Sequence, residues 1–153
     1  MSYQDRRPDE TERPYEHDAP LRDLRPTLMI ADDDAVMRSV LGSQLSDSFR
    51  IVGVGKDATE AIALAEQHRP DVALLDVEMP GGGARVAVVE INTRSPATCM
   101  VILSGDESHQ IVLELLNAGA IAYIRKGIGA DQLSKMLADA LAVKSGLPAR
   151  ATA

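Results

Sequence analysis

Four short apolar runs each end on a polar or charged residue, and this pattern restricts the fold more than any other feature of the chain. Leu28-Met29-Ile30-Ala31 leads into Asp32-Asp33-Asp34, and Val72-Ala73-Leu74-Leu75 leads into Asp76. Met100-Val101-Ile102-Leu103 leads into Ser104-Gly105, and Ile121-Ala122-Tyr123-Ile124-Arg125 leads into Lys126. Runs this short, rich in Val, Ile and Leu, read as strands of a parallel sheet buried on both faces. Phe49 to Val54 reads as a fifth strand.

Helical patterns fill the gaps between these runs. Residues 36–45 place Met37, Val40, Leu41 and Leu45 at helical spacing. Asp57-Ala58-Thr59-Glu60 is a capping box that opens a helix running to about His68. Ala84 to Thr93 predicts a weaker helix with Val86, Val89 and Thr93 on one face. Ile111, Val112, Leu115 and Leu116 form the apolar face of a fourth, and Gly119 is a natural stop. Leu133, Met136, Leu137, Ala140 and Leu141 mark the last helix. The result is an α/β chain of five βα units, its parallel sheet covered on both faces.

Strand exits are where open α/β sheets bind ligands. Here four exits supply a carboxylate cluster, a hydroxyl and an ammonium. Adjacent acids on one strand with a third carboxylate on its neighbour suit a hard cation such as Mg²⁺, which takes oxygen ligands and commonly one or two carboxylates plus a phosphate oxygen. A carboxylate also acts as a nucleophile toward phosphorus. A lysine offers a point charge to phosphoryl oxygens. A single Asp after a strand is often only a turn former; compatible groups at four exits are a different matter. The run of three acids admits two registers, with Asp33 paired to Asp32 or to Asp34.

These motifs, in this order and spacing, resemble the receiver domain of two-component response regulators. Ala31-Asp32-Asp33, Leu74-Leu75-Asp76-Val77-Glu78-Met79-Pro80, Leu103-Ser104-Gly105, and Ala118-Gly119-Ala120 with Tyr123 and Lys126 carry the resemblance over residues 27–143. It implies a flavodoxin-like, doubly wound five-stranded sheet with strand order 2-1-3-4-5. It implies that Asp76 accepts a phosphoryl group from a sensor histidine kinase or phosphotransfer protein. Asp32, Asp33, Asp76 and the Glu78 backbone carbonyl would serve Mg²⁺, with Asp32 acting mostly through water. Ser104 and Lys126 would bind the phosphoryl oxygens, and Ser104 with Tyr123 would form the switch. Output would pass through the face of the fourth helix, fifth strand and fifth helix, to a protein partner or a homodimer. The resemblance also favours Asp32 over Asp34, because Met37 and Arg38 then fall where the first helix expects them. The chain would be no enzyme beyond catalysing its own phosphorylation and dephosphorylation. Lys126 is followed by Gly127 where many receivers have proline, so that bond is expected to be trans or its loop mobile. Gly81-Gly82-Gly83 is expected to be flexible and to leave the next helix loosely fixed at its start.

Composition narrows the alternatives. The chain has 153 residues and a net charge of −7, with no basic block, which argues against a nucleic-acid surface. Cys99 is the lone cysteine, which fits a small buried hydrophobe in a reducing cytoplasm. No apolar run approaches the roughly 20 residues that span a bilayer, and the N-terminus does not resemble a signal peptide; a cytoplasmic protein is expected. Residues 1–26 hold seven acids, five arginines and four of the eight prolines, and read as a disordered tail. Residues 144–153 read as a short C-terminal tail. No output domain follows residue 143, so a stand-alone regulator is expected.

Three rival functions are to be weighed against this reading. Gly53-Val54-Gly55-Lys56-Asp57-Ala58 matches G-x-G-x-x-A between a strand and a helix, the pattern of a dinucleotide-binding turn. It explains neither the paired acids nor Lys126. A small Mg²⁺-dependent phosphatase would use the carboxylates with Glu78 as acid–base group. A pseudo-receiver would keep the fold only for protein binding.

Overall fold

The computed structural model describes residues 23–105 and 108–146. Its elements run β1 (Thr27–Ala31), α1 (Ala35–Leu45), β2 (Arg50–Gly55), α2 (Ala58–His68), β3 (Val72–Asp76), α3 (Gly83–Arg94), β4 (Cys99–Ser104), α4 (His109–Ala118), β5 (Ala122–Arg125) and α5 (Ala130–Lys144). All strand pairs are parallel, in the order β2-β1-β3-β4-β5. This is the doubly wound order expected from the resemblance. The chain winds outward in opposite senses from β1 and β3, which opens a crevice at their carboxyl ends.

Alternation along the strands builds two cores. Met29, Ala31, Ala73, Leu75, Met100 and Ile102 face α2, α3 and α4. Leu28, Ile30, Val72, Leu74, Val101, Leu103 and Ile124 face α1 and α5. Every residue of β3 and β4 is buried, so both read as continuous apolar runs. Cys99 is fully buried in this core, and burial pushes its thiol up to about 11.

The helix starts are set by local chemistry. Asp34 caps α1, its carboxylate accepting from the Val36 and Met37 amides at 2.9 and 3.3 Å. Asp57 caps α2 by accepting from the Glu60 amide at 2.7 Å. The Glu60 carboxylate reaches back to the Lys56 amide at 3.0 Å, one residue before the cap. Gly119, at φ 132°, closes α4. No side chain caps α3.

Two readings of sequence pattern change with the structure in view. Val86 and Val89 lie on the exposed side of α3, and the buried side is Ala84, Ala87, Val88 and Ile91. Small residues face inward because α3 packs close to the sheet and to α2. The glycines of the dinucleotide-like motif also have a packing role. A Cβ on Gly53 would lie 2.9 Å from Leu64 Cδ2, and one on Gly55 would lie 3.2 Å from Glu60 Cβ. They let α2 approach the edge strand β2 closely.

The expected N-terminal tail lies outside the described residues up to position 22, as do residues 147–153 and 106–107. The last residues before β1 touch the domain. Arg25 pairs with Asp23 and donates to the Ser46 carbonyl, and the Arg50 amide donates to the Pro26 carbonyl at 2.9 Å. No helix among the described residues is long and apolar enough to cross a membrane.

Candidate functional site

The parallel register aligns the strand exits. Ala31 pairs with Leu75, Asp76 with Leu103, and Ser104 with Arg125. Asp32, Asp76, Ser104 and Lys126 therefore gather at one edge of the sheet. Asp32, Asp76 and Ser104 are buried there, and Lys126 is partly buried.

Three carboxylates converge. Asp32, Asp33 and Asp76 each offer an oxygen, and these atoms all lie within 4.8 Å of one another. Asp33 is exposed, whereas the other two are sealed in the crevice. Asp34 is spent on capping α1, which leaves Asp32 and Asp33 as the pair facing Asp76.

Asp32 is held from several directions. Its amide donates to the Gly55 carbonyl at 3.1 Å. Its Oδ1 accepts from the Asp34 amide at 2.9 Å, and its carbonyl accepts from Arg38 Nη1 at 2.8 Å. Oδ2 is left over. This atom and Asp76 Oδ1 are buried and receive no hydrogen bond of good geometry. What they face is the Lys126 ammonium, 2.9 Å from Asp76 Oδ1 and 3.8 Å from Asp32 Oδ2.

One ammonium among three clustered carboxylates leaves excess negative charge in a poorly solvated place. Burial raises the Asp76 carboxyl to about 6. The Lys126 ammonium pulls it down, and the Asp32 and Asp33 carboxylates push it further up. The all-oxygen donor set, with Asp32 Oδ2 and Asp76 Oδ1 both buried and sharing one ammonium, fits a hard divalent cation.

The remaining candidates are placed as follows. Ser104 ends β4, buried, beside the Asp76 strand. The Lys126 amide donates to its carbonyl at 2.8 Å, which ties the β5 exit to the β4 exit. No peptide bond among the described residues is cis, so Lys126–Gly127 is trans, with Gly127 at φ 94°. Glu78 is exposed in the loop after β3. Tyr123 lies on β5 opposite Ile102, its side chain 43% exposed and so turned outward. The Arg38 contact was not anticipated from sequence: it links the first turn of α1 to a backbone carbonyl, and nothing in the residue pattern marks it.

Comparison with known proteins gives the fold its family. The response regulator receiver domain model matches residues 28–138. The chain is 35% identical over 107 residues to the transcriptional regulatory protein PdtaR of Mycobacterium tuberculosis, an alignment covering 69% of this chain and 52% of that protein. It is 33% identical over 129 residues to a protein-glutamate methylesterase/protein-glutamine glutaminase of Haloarcula marismortui, covering 77% of this chain and 35% of that protein. The chain thus spans about half or less of these relatives. A CheY-like receiver domain protein from Methanospirillum hungatei has the same fold, with a TM-score of 0.74 at 22% identity, covering 80% of this chain and 98% of that one. A family match that starts in β1 and ends within α5 takes in every element of the sheet, and the chain belongs to the response regulator receiver domains of two-component signalling.

Proposed function

We propose that Asp76 is the phosphoacceptor of a Mg²⁺-dependent phosphorylation switch, and that the donor is a sensor histidine kinase or a phosphotransfer protein. The observation that supports this most is the Asp76 carboxylate itself, buried at a central strand exit and ion-paired to Lys126 at 2.9 Å. In the transfer a carboxylate oxygen of Asp76 attacks phosphorus, the P–N bond of the phosphoimidazole breaks, and the imidazole leaves with the electron pair and takes up a proton. The Lys126 ammonium stands beside the nucleophile, placed to meet charge on the incoming phosphoryl oxygens. The Ser104 hydroxyl is the neutral donor at the next strand exit. Asp32, Asp33 and Asp76, with the Glu78 carbonyl, would hold Mg²⁺, which supplies positive charge to offset the crowded carboxylates and the phosphoryl oxygens.

Cation binding has a direct thermal signature. At ten times its dissociation constant, Mg²⁺ should stabilise the fold by about 1.4 kcal/mol, a rise of about 5 °C for a domain this size. Asp33→Ala should remove most of that rise, and differential scanning calorimetry with and without Mg²⁺ measures it. An unchanged rise in the variant would place the cation elsewhere.

Output follows from what phosphorylation changes. The new phosphoryl group draws the Ser104 hydroxyl toward it, and the Tyr123 ring moves inward from its exposed position. This alters the surface of α4, β5 and α5, where Leu113 is already 58% exposed. A downstream protein, or a second copy of the chain, would read that face. NMR shift mapping with beryllofluoride in place of the phosphoryl group tests the reading. Shifts should extend from the pocket across this face in the wild type and shrink toward the pocket in Tyr123→Ala. Shifts confined to the pocket in the wild type would refute the switch.

A further inference from the structure

We propose that Arg38 is a positioning residue of the cation site, acting through the backbone of Asp32. This rests on the cation reading above and assigns a role to a residue that ligates nothing.

The geometry is specific. Arg38 lies one turn into α1, and its backbone amide donates to the Asp34 carbonyl at 3.0 Å. Its guanidinium turns back to the strand exit, where Nη1 donates to the Asp32 carbonyl at 2.8 Å in a partly buried contact. Asp32 and Asp33 are joined by the peptide that begins at this carbonyl. The Asp32 amide is fixed by Gly55 and its Oδ1 by the Asp34 amide, while Oδ2 faces Lys126. The Arg38 contact is what remains to set the tilt of the Asp32–Asp33 peptide. That tilt decides whether the exposed Asp33 carboxylate swings toward Asp76 or out to water. A charge-assisted hydrogen bond to a carbonyl is strong enough for this. Groups that orient ligands are commonly worth a factor of ten or more in metal affinity.

Electrostatics alone predicts the opposite sign. Arg38 is a cation near three carboxylates, so removing it should make the pocket more negative and bind Mg²⁺ more tightly. Positioning predicts weaker binding. The two accounts therefore separate on the direction of a single measured change.

The experiment is titration calorimetry of MgCl₂ into the full chain and into Arg38→Met, Arg38→Lys and Arg38→Gln, with thermal melts in EDTA as the control on folding. Arg38→Met, which removes donor and charge, should raise the dissociation constant about 10-fold. Arg38→Lys keeps a charged donor and should recover most of the affinity. Arg38→Gln keeps a neutral donor without the charge and should fall between them. If Arg38→Met melts far below the wild type, the Lys and Gln variants carry the test. Wild-type binding with unchanged or tighter affinity in the donor-less variant overturns the positioning role and leaves the cation site standing. Absence of Mg²⁺ binding by the wild type at millimolar concentration overturns the cation site and the positioning role together.

Discussion

In metal-free buffer the wild-type protein loses stability, relative to Asp76→Asn, as the pH rises from about 4 to above 6. The cause is the buried Asp76 carboxyl, whose pKa stands at about 6 against 3.8 for the free group. Burial is the main reason, and the Asp32 and Asp33 charges add to it. Between the two values the folded state holds a proton that the unfolded chain has released. Stability then falls with rising pH, by linkage. The contribution is fully present below about 4 and gone above about 6. Two pKa units correspond to about 3 kcal/mol. That value is already net of the Lys126 attraction; adjustment of the exposed Asp33 carboxylate away from Asp76 offsets part of the gain. A net advantage for Asp76→Asn on the order of 1–2 kcal/mol at pH 7 is expected, or about 5 °C in melting temperature. The difference between the two proteins is what denaturant titration across pH should follow. Mg²⁺ should narrow the gap from the wild-type side.

The loop after Asp76 carries the second large effect. Gly81, Gly82 and Gly83 have φ of 85°, 102° and 66°, three successive left-handed residues that only glycine adopts without strain. Gly83 is also crowded. A Cβ there would lie 2.8 Å from the Val77 carbonyl oxygen, a backbone atom that already accepts from the Ala84 amide at 3.1 Å. Neither partner can move aside without unmaking the start of α3, which has no side-chain cap. Gly83→Ala should cost about 3 kcal/mol. Gly127→Ala is the control. Its φ is 94°, but an added Cβ meets nothing within 4 Å, so strain alone remains, about 1–2 kcal/mol. Urea denaturation of both variants separates strain from collision. Equal losses would show that the Val77 contact is not rigid. The tightness of this loop belongs to the same crevice as the Asp76 carboxylate, since Val77 follows Asp76 directly.

How much of this was legible in the residues depends on the kind of signal. β3 and β4 were plain, because strands buried on both faces leave runs such as Val72–Leu75 with no polar interruption. The α2 start was plain as well, since Asp57 and Glu60 cap locally. The inward face of α3 was not. Hydrophobicity ranks Val86 and Val89 above Ala84 and Ala87, but the alanines meet the closely packed α2 side with Val88 and Ile91, and Val86 and Val89 lie outside. The glycines at 53 and 55 look the same whether they admit a pyrophosphate or a leucine eleven or nine residues on. Only the position of Leu64 decides that.

The site shows the same division. Asp32, Asp33, Asp76, Ser104 and Lys126 stood out because each follows an apolar run, and parallel register brings such exits together. The resemblance already favoured Asp32 over Asp34, and the physical reason lies in where β1 stops and which carboxylate α1 uses as its cap. The Arg38 contact is beyond pattern reading altogether, since an arginine one turn into a helix normally points to solvent.

The central claim is covalent chemistry at Asp76, and intact-mass measurement tests it most directly. The full chain is incubated with acetyl phosphate or a phosphorylated histidine kinase domain, with Mg²⁺ and with EDTA. Wild type should gain one phosphoryl group, only with Mg²⁺, and lose it in hydroxylamine as an acyl phosphate does. Asp76→Asn should gain none, even though its metal-free fold is the more stable of the two. Equal labelling of wild type and Asp76→Asn, or an adduct that survives hydroxylamine, would contradict the account.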